Sequence, residues 1–119
     1  MTMLSPEHRQ LIDALSDMYL SGEPVERADE KVAVKAILAH LSDLEPGRSV
    51  ELRIPPYSAI QLVAGHTHRR GTPAAVVETD AETLIAIATG TLTWEQAVAN
   101  GSLLASGERS DLSRLFPLN

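Results

Sequence analysis

Apolar residues at the start of the chain recur with the period of an α-helix. Leu11, Ile12, Leu15, Met18 and Tyr19 fall on one face and predict a helix over about Pro6 to Leu20. Ser5-Pro6-Glu7 opens it with a capping hydroxyl, a proline at the first helical position and an acid beside the positive end of the helix dipole. Ser21-Gly22-Glu23-Pro24 stops it. A second helix is predicted from about Val25 to Leu44, with Ala28, Val32, Val34, Ile37, Leu38, Leu41 and Leu44 as its apolar stripe, before Glu45-Pro46-Gly47.

The period then changes to two. Val50, Leu52 and Ile54 alternate with Glu51 and Arg53, as in a strand with one buried face. Pro55-Pro56 ends that strand, and a second is predicted over Ser58 to Ala64, with Ile60, Leu62 and Ala64 on one face. A loop over Gly65 to Pro73 leads to a third strand, Ala74 to Thr79. Successive strands joined in this way are expected to pair antiparallel, although the loop is long enough to leave the pairing open. Asp80 caps a helix carrying Leu84, Ile85, Ile87 and Ala88, which Gly90 terminates. Thr93 and Gln96 have the spacing of a capping box, giving a short helix to Asn100. A strand over Ser102 to Ser106 and a helical turn over Asp111 to Phe116 complete the pattern.

Composition narrows what such a domain does. The 119 residues suit one hydrophobic core, so a single domain is expected over 1–119, with 1–22 as an extra N-terminal helix. Without cysteine there is no thiol nucleophile, thiolate zinc site or disulfide, and with no apolar leader visible the expected location is cytoplasmic. A net charge of -6 repels phosphate backbones, and one Trp, two Tyr and one Phe are too few for a base-stacking platform, so nucleic-acid binding is disfavoured. No apolar run is long enough to span a bilayer.

Catalytic signatures are absent from the sequence. There is no Gly-x-Ser-x-Gly elbow, no Gly-x-x-x-x-Gly-Lys loop and no Gly-x-Gly-x-x-Gly turn, and the serines and threonines fall mainly at caps and turns. His66 and His68 lie two apart, but no third ligand is predicted nearby and the adjacent arginines oppose a cation. The expectation is a non-enzymatic protein with no cofactor and no metal.

The C-terminal half carries a resemblance. A helix opening at Asp80 and closing at Thr89-Gly90, the segment Leu92-Thr93-Trp94-Glu95-Gln96-Ala97-Val98, then Asn100-Gly101 and Leu103-Leu104-Ala105-Ser106-Gly107 are similar to the sterol carrier protein 2 family. Arg53-Ile54-Pro55-Pro56-Tyr57-Ser58-Ala59, Arg70-Gly71-Thr72-Pro73 and Val77-Glu78-Thr79-Asp80 resemble its short actinobacterial branch. The resemblance covers about Arg48 to Leu118, leaving the first helix without a place. It implies an α+β, SCP2-like fold: a small, mostly antiparallel mixed sheet of four to five strands, helices packed on one face, and an apolar tunnel between them that the C-terminal helix partly closes.

That implied tunnel gives the apolar residues a functional reading. A cavity for a lipid or fatty-acyl type of ligand would be lined by Ile60, Leu62, Val76, Leu84, Ile87, Trp94, Val98, Leu103, Leu112, Leu115 and Phe116. The same residues would equally fill an ordinary core, each buried aliphatic contributing roughly 1.5–3 kcal/mol to folding. The basic loop residues His68, Arg69 and Arg70, joined by Arg53, are the candidates to hold an acidic head group. The alternative is an interaction or accessory domain with a packed core, whose partner is another protein or a second copy in a homodimer. A third reading, catalysis by analogy with mycothiol-dependent maleylpyruvate isomerases, is disfavoured because this chain has no room for their metal-binding helical bundle and no histidine triad in its first two helices.

Overall fold

A computed structural model describes residues 4–66 and 73–118. Ser5 accepts the His8 N–H at 3.1 Å and starts α1 (Pro6–Ser21), which Gly22 ends in the left-handed conformation. α2 (Arg27–Leu44) follows, then β1 (Val50–Ile54), β2 (Ser58–Leu62), β3 (Ala75–Thr79), α3 (Ala81–Thr89), α4 (Trp94–Ala99), β4 (Leu103–Ser106) and a 3-10 turn at Ser113–Leu115. This is an α+β fold with a four-stranded mixed sheet.

The strand order is β2-β1-β3-β4, with β1 antiparallel to β2, parallel to β3, and β3 antiparallel to β4. The expectation of antiparallel neighbours therefore holds for the β1–β2 hairpin and fails for the next step. β3 does not pair with β2. The hairpin already occupies one edge of β1, and β3 lies against the other edge in the same direction as β1.

Ser49 ties this crossover together. Its N–H and hydroxyl both donate to the Val63 carbonyl, at 3.1 and 2.7 Å, while its own carbonyl accepts the Ala75 N–H at 3.1 Å. The residue is fully buried and sits where β2 leaves and β3 arrives. Val63 also explains why β2 ends at Leu62, short of Ala64: its φ of 69° takes the chain out of the sheet, and its N–H donates to the Glu45 carbonyl at 2.7 Å. Gly47 passes so close that a Cβ there would lie 2.2 Å from the Val63 carbonyl carbon.

Alternation places Val50, Leu52, Ile54, Leu62, Ala75 and Val77 on the inner face of the sheet, all buried. α2 and α3 cover that face with Ala33, Val34, Ile37, Leu38, Leu41, Leu84, Ile85, Ile87 and Ala88. The α2 stripe is rotated from the predicted one: Ala33 and His40 turn inward, whereas Ala28, Val32 and Leu44 are exposed. Val32 and Ala33 compete for a face defined by Val34, Ile37, Leu38 and Leu41, and the packing partner selects Ala33. α1 packs across α2 and α3, burying Ile12 and Leu15 and setting the Ser16 hydroxyl 3.2 Å from that of Thr89.

Candidate ligand site

The C-terminal third builds a cleft from its capping residues upward. Asp80 accepts the Thr83 N–H at 2.7 Å and aims α3 away from the end of β3, and Gly90, at φ 87°, turns the chain out of the helix. A reciprocal pair, Thr93 N–H to Gln96 Oε1 at 2.9 Å and Gln96 N–H to Thr93 Oγ1 at 3.0 Å, then starts α4 with Trp94 as its first residue. The tail returns to meet these helices. Leu112 is fully buried, Phe116 stacks on Trp94 with ring centroids 6.0 Å apart at 21°, and the Leu118 N–H donates to the Ala88 carbonyl at 2.9 Å.

Between α3, α4 and the tail lies a cleft of about 300 Å³. Ile87, Leu92, Trp94, Phe116 and Pro117 supply its apolar walls, and Thr93, Glu95, Ser113 and Arg114 its polar ones. Arg114 is the sole cation among these residues. Its guanidinium reaches Glu45 at 2.5 Å and donates to the Asp111 carbonyl at 3.2 Å, tying the tail to the end of α2. Asp111 steadies the same turn: accepting the Ser113 N–H at 2.9 Å holds its carboxyl below the usual carboxylate range.

The apolar residues predicted to line a cavity fall into three groups. Ile87, Trp94 and Phe116 come together on the walls of this cleft. Leu62, Leu84, Leu103 and Leu112 are at most 1% exposed and belong to the packed interior, while Ile60 and Leu115 are half-buried against it. Val76 and Val98 lie elsewhere. In register with Glu51, Val76 is on the sheet's outer face, and Val98, 44% exposed, shares with Val76 and β4 a second groove of about 520 Å³. Among the head-group candidates, Arg53 stands on the outer face paired with Glu51 at 2.6 Å and does not line the cleft. His68, Arg69 and Arg70 lie outside the described residues.

The sequence reading missed Arg114, Thr93 and Pro117 as cleft residues. Arg114 sits in a tail read for its apolar Leu112, Leu115 and Phe116, and only the return of that tail to Trp94 gives the guanidinium a role. It also missed a polar cluster that joins α1, α2 and the β1–β2 turn. Both tyrosines of the chain, Tyr19 on α1 and Tyr57 in the turn between β1 and β2, donate to Glu30 on α2, the second at 2.5 Å. Burial, reinforced by the hydrogen bond to Glu30, pushes the Tyr19 phenol well above its ordinary value; for Tyr57 the hydrogen bond to Glu30 is the leading cause of a rise.

Among the described residues, no helix is long and apolar enough to cross a membrane and no group of three or more His, Asp or Glu side chains is placed to hold a metal. No curated protein matches the chain. A family model described as "Bacterial SCP ortholog" matches residues 26–118, which takes in every element from α2 to the tail and leaves out α1. By fold and by that match over most of its length, the chain belongs to the SCP2-like bacterial SCP ortholog family.

Proposed function

We propose that this protein binds an apolar or amphipathic small molecule of lipid or fatty-acyl type without catalysing its conversion, and that the site is the cleft between α3, α4 and the C-terminal tail. The observation that carries the reading is the concave apolar wall formed by Ile87, Leu92, Trp94 and Phe116, bordered by the Arg114 guanidinium. Its volume of about 300 Å³ is at the lower end for small-molecule sites, so the cleft suits one end of an acyl chain. Family membership supports a carrier role, and a cytoplasmic location accords with the cysteine-free composition.

Trp94 is the only tryptophan and lies on the wall, which makes its fluorescence a direct reporter. Titration with a medium-chain fatty acid is expected to change that emission saturably, and Phe116→Ala is expected to weaken the response at least tenfold. Emission indifferent to acyl probes, together with protein purified from its host free of extractable lipid, would sink the reading. Such a result would favour the alternative of an interaction or accessory domain, which has its own support in the nearly complete burial of Leu62, Leu84, Leu103 and Leu112.

A further inference from the structure

Two charged side chains line the cleft beside Trp94, and they are not equivalent. The Arg114 guanidinium is already met: Nη2 lies 2.5 Å from a Glu45 oxygen and Nη1 donates to the Asp111 carbonyl at 3.2 Å. Glu95, the second residue of α4, is exposed on the same cleft, and no cation among the described residues pairs with it. The start of α4 does not use this carboxylate either, because Thr93 and Gln96 cap the helix through each other. Asp111 adds a further negative charge, its carboxylate accepting the N–H of Ser113, itself a lining residue, at 2.9 Å. Three carboxylates, Glu45, Glu95 and Asp111, therefore stand at this opening against one guanidinium, in a chain whose net charge is already -6.

Resting on the reading of this cleft as a ligand site, we propose that its preferred occupant is an amphiphile with a cationic head, an alkylammonium whose tail lies on Ile87, Leu92, Trp94 and Phe116 and whose nitrogen meets Glu95. The acidic surround draws a cation toward the opening. A carboxylate head has the opposite experience: it faces Glu95 and must draw Arg114 away from Glu45 before it gains a partner. A fatty acid of equal length still binds through its tail, but more weakly. Glu95 and Arg114 both remain in contact with water, so discrimination by charge is modest, about two- to fivefold in affinity for one exposed pair.

Octylammonium, octanol and octanoate share one tail and differ in the charge of the head. Followed on the full chain by Trp94 emission and by calorimetry, they are expected to bind in that order, each step about two- to fivefold in Kd. Glu95→Gln should bring octylammonium down to the level of octanol while leaving octanol itself unchanged, which shows the cleft to be intact. Glu45→Gln, which frees Arg114, should strengthen octanoate and narrow the gap from the other side. Raising the ionic strength from about 0.05 M to about 0.5 M should draw the three probes together. Tetramethylammonium, a head without a tail, should fail to compete, which separates an amphiphile from a free amine. Octanoate binding as tightly as octylammonium overturns the inference, as does an order that survives Glu95→Gln, or tetramethylammonium competing as well as octylammonium. Equal binding of all three eight-carbon probes leaves the cleft a ligand site without selection by charge, so the inference then fails alone. Silence from all three, in emission and in heat, removes the ligand reading along with it.

Discussion

At Gly47 the backbone conformation and the neighbouring chain demand the same residue. Its φ of 155° lies where side chains are rarely accepted, and an added Cβ would meet the Val63 main chain at 2.2 Å, where no flexible side chain can move aside. Gly47→Ala is expected to destabilise the protein by about 2–3 kcal/mol, read from urea denaturation. A change below about 0.5 kcal/mol would mean that the Ser49–Val63 crossover is looser than its hydrogen bonds indicate. The Tyr19–Glu30 hydrogen bond makes a different prediction, in pH. Because the folded phenol loses its proton above the unfolded value of about 10, its stabilisation is complete below that pH and is lost as the pH climbs beyond it. Tyr19→Phe should therefore cost about 1–2 kcal/mol near neutrality, with the gap from wild type narrowing above about pH 10. Denaturation curves at a series of alkaline pH values test this, and a gap constant with pH would contradict it.

Helix α1 lies outside the matched family segment yet joins the common core through Ile12 and Leu15, packed over α2 and α3. Leu15 is 1% exposed, so Leu15→Ala should destabilise the whole protein by about 2–5 kcal/mol in a single transition. A separate early transition would instead identify α1 as an appended element that melts on its own. The boundaries of α1, α3 and α4 were legible because Ser5, Asp80, Thr93, Gly22 and Gly90 are local signals that act on their own helices. The facing of α2 was not. Period alone leaves a helix free to rotate by one residue when small and large apolar residues adjoin, as Val32 and Ala33 do, and only the surface of α3 and the sheet decides. The cleft was partly legible through Trp94 and Phe116, but Arg114 stayed hidden, since its position depends on a tail that folds back to Ala88 and Glu45.

For the whole molecule, the sheet and its helical cover were readable from the change of period at Val50, whereas the strand order was not, because alternation specifies faces and is silent about neighbours. The same limit put Val76 in one list with Leu62, although register sets them on opposite faces. The parallel seating of β3 has a consequence for the chain as it is made. When β2 has left the ribosome, β1 has one neighbour and α1 has half its packing surface, since its partner Thr89 lies 73 residues beyond Ser16. Between Leu62 and Thr89 the nascent chain must wait roughly one to five seconds at ordinary rates of synthesis. During that interval the inner residues Leu52 and Ile54 lack the cover of α3, and until β3 emerges β1 presents an unfilled edge to any other chain nearby. Codon choice across that stretch thus becomes a determinant of yield, with slow translation there favouring aggregation over folding.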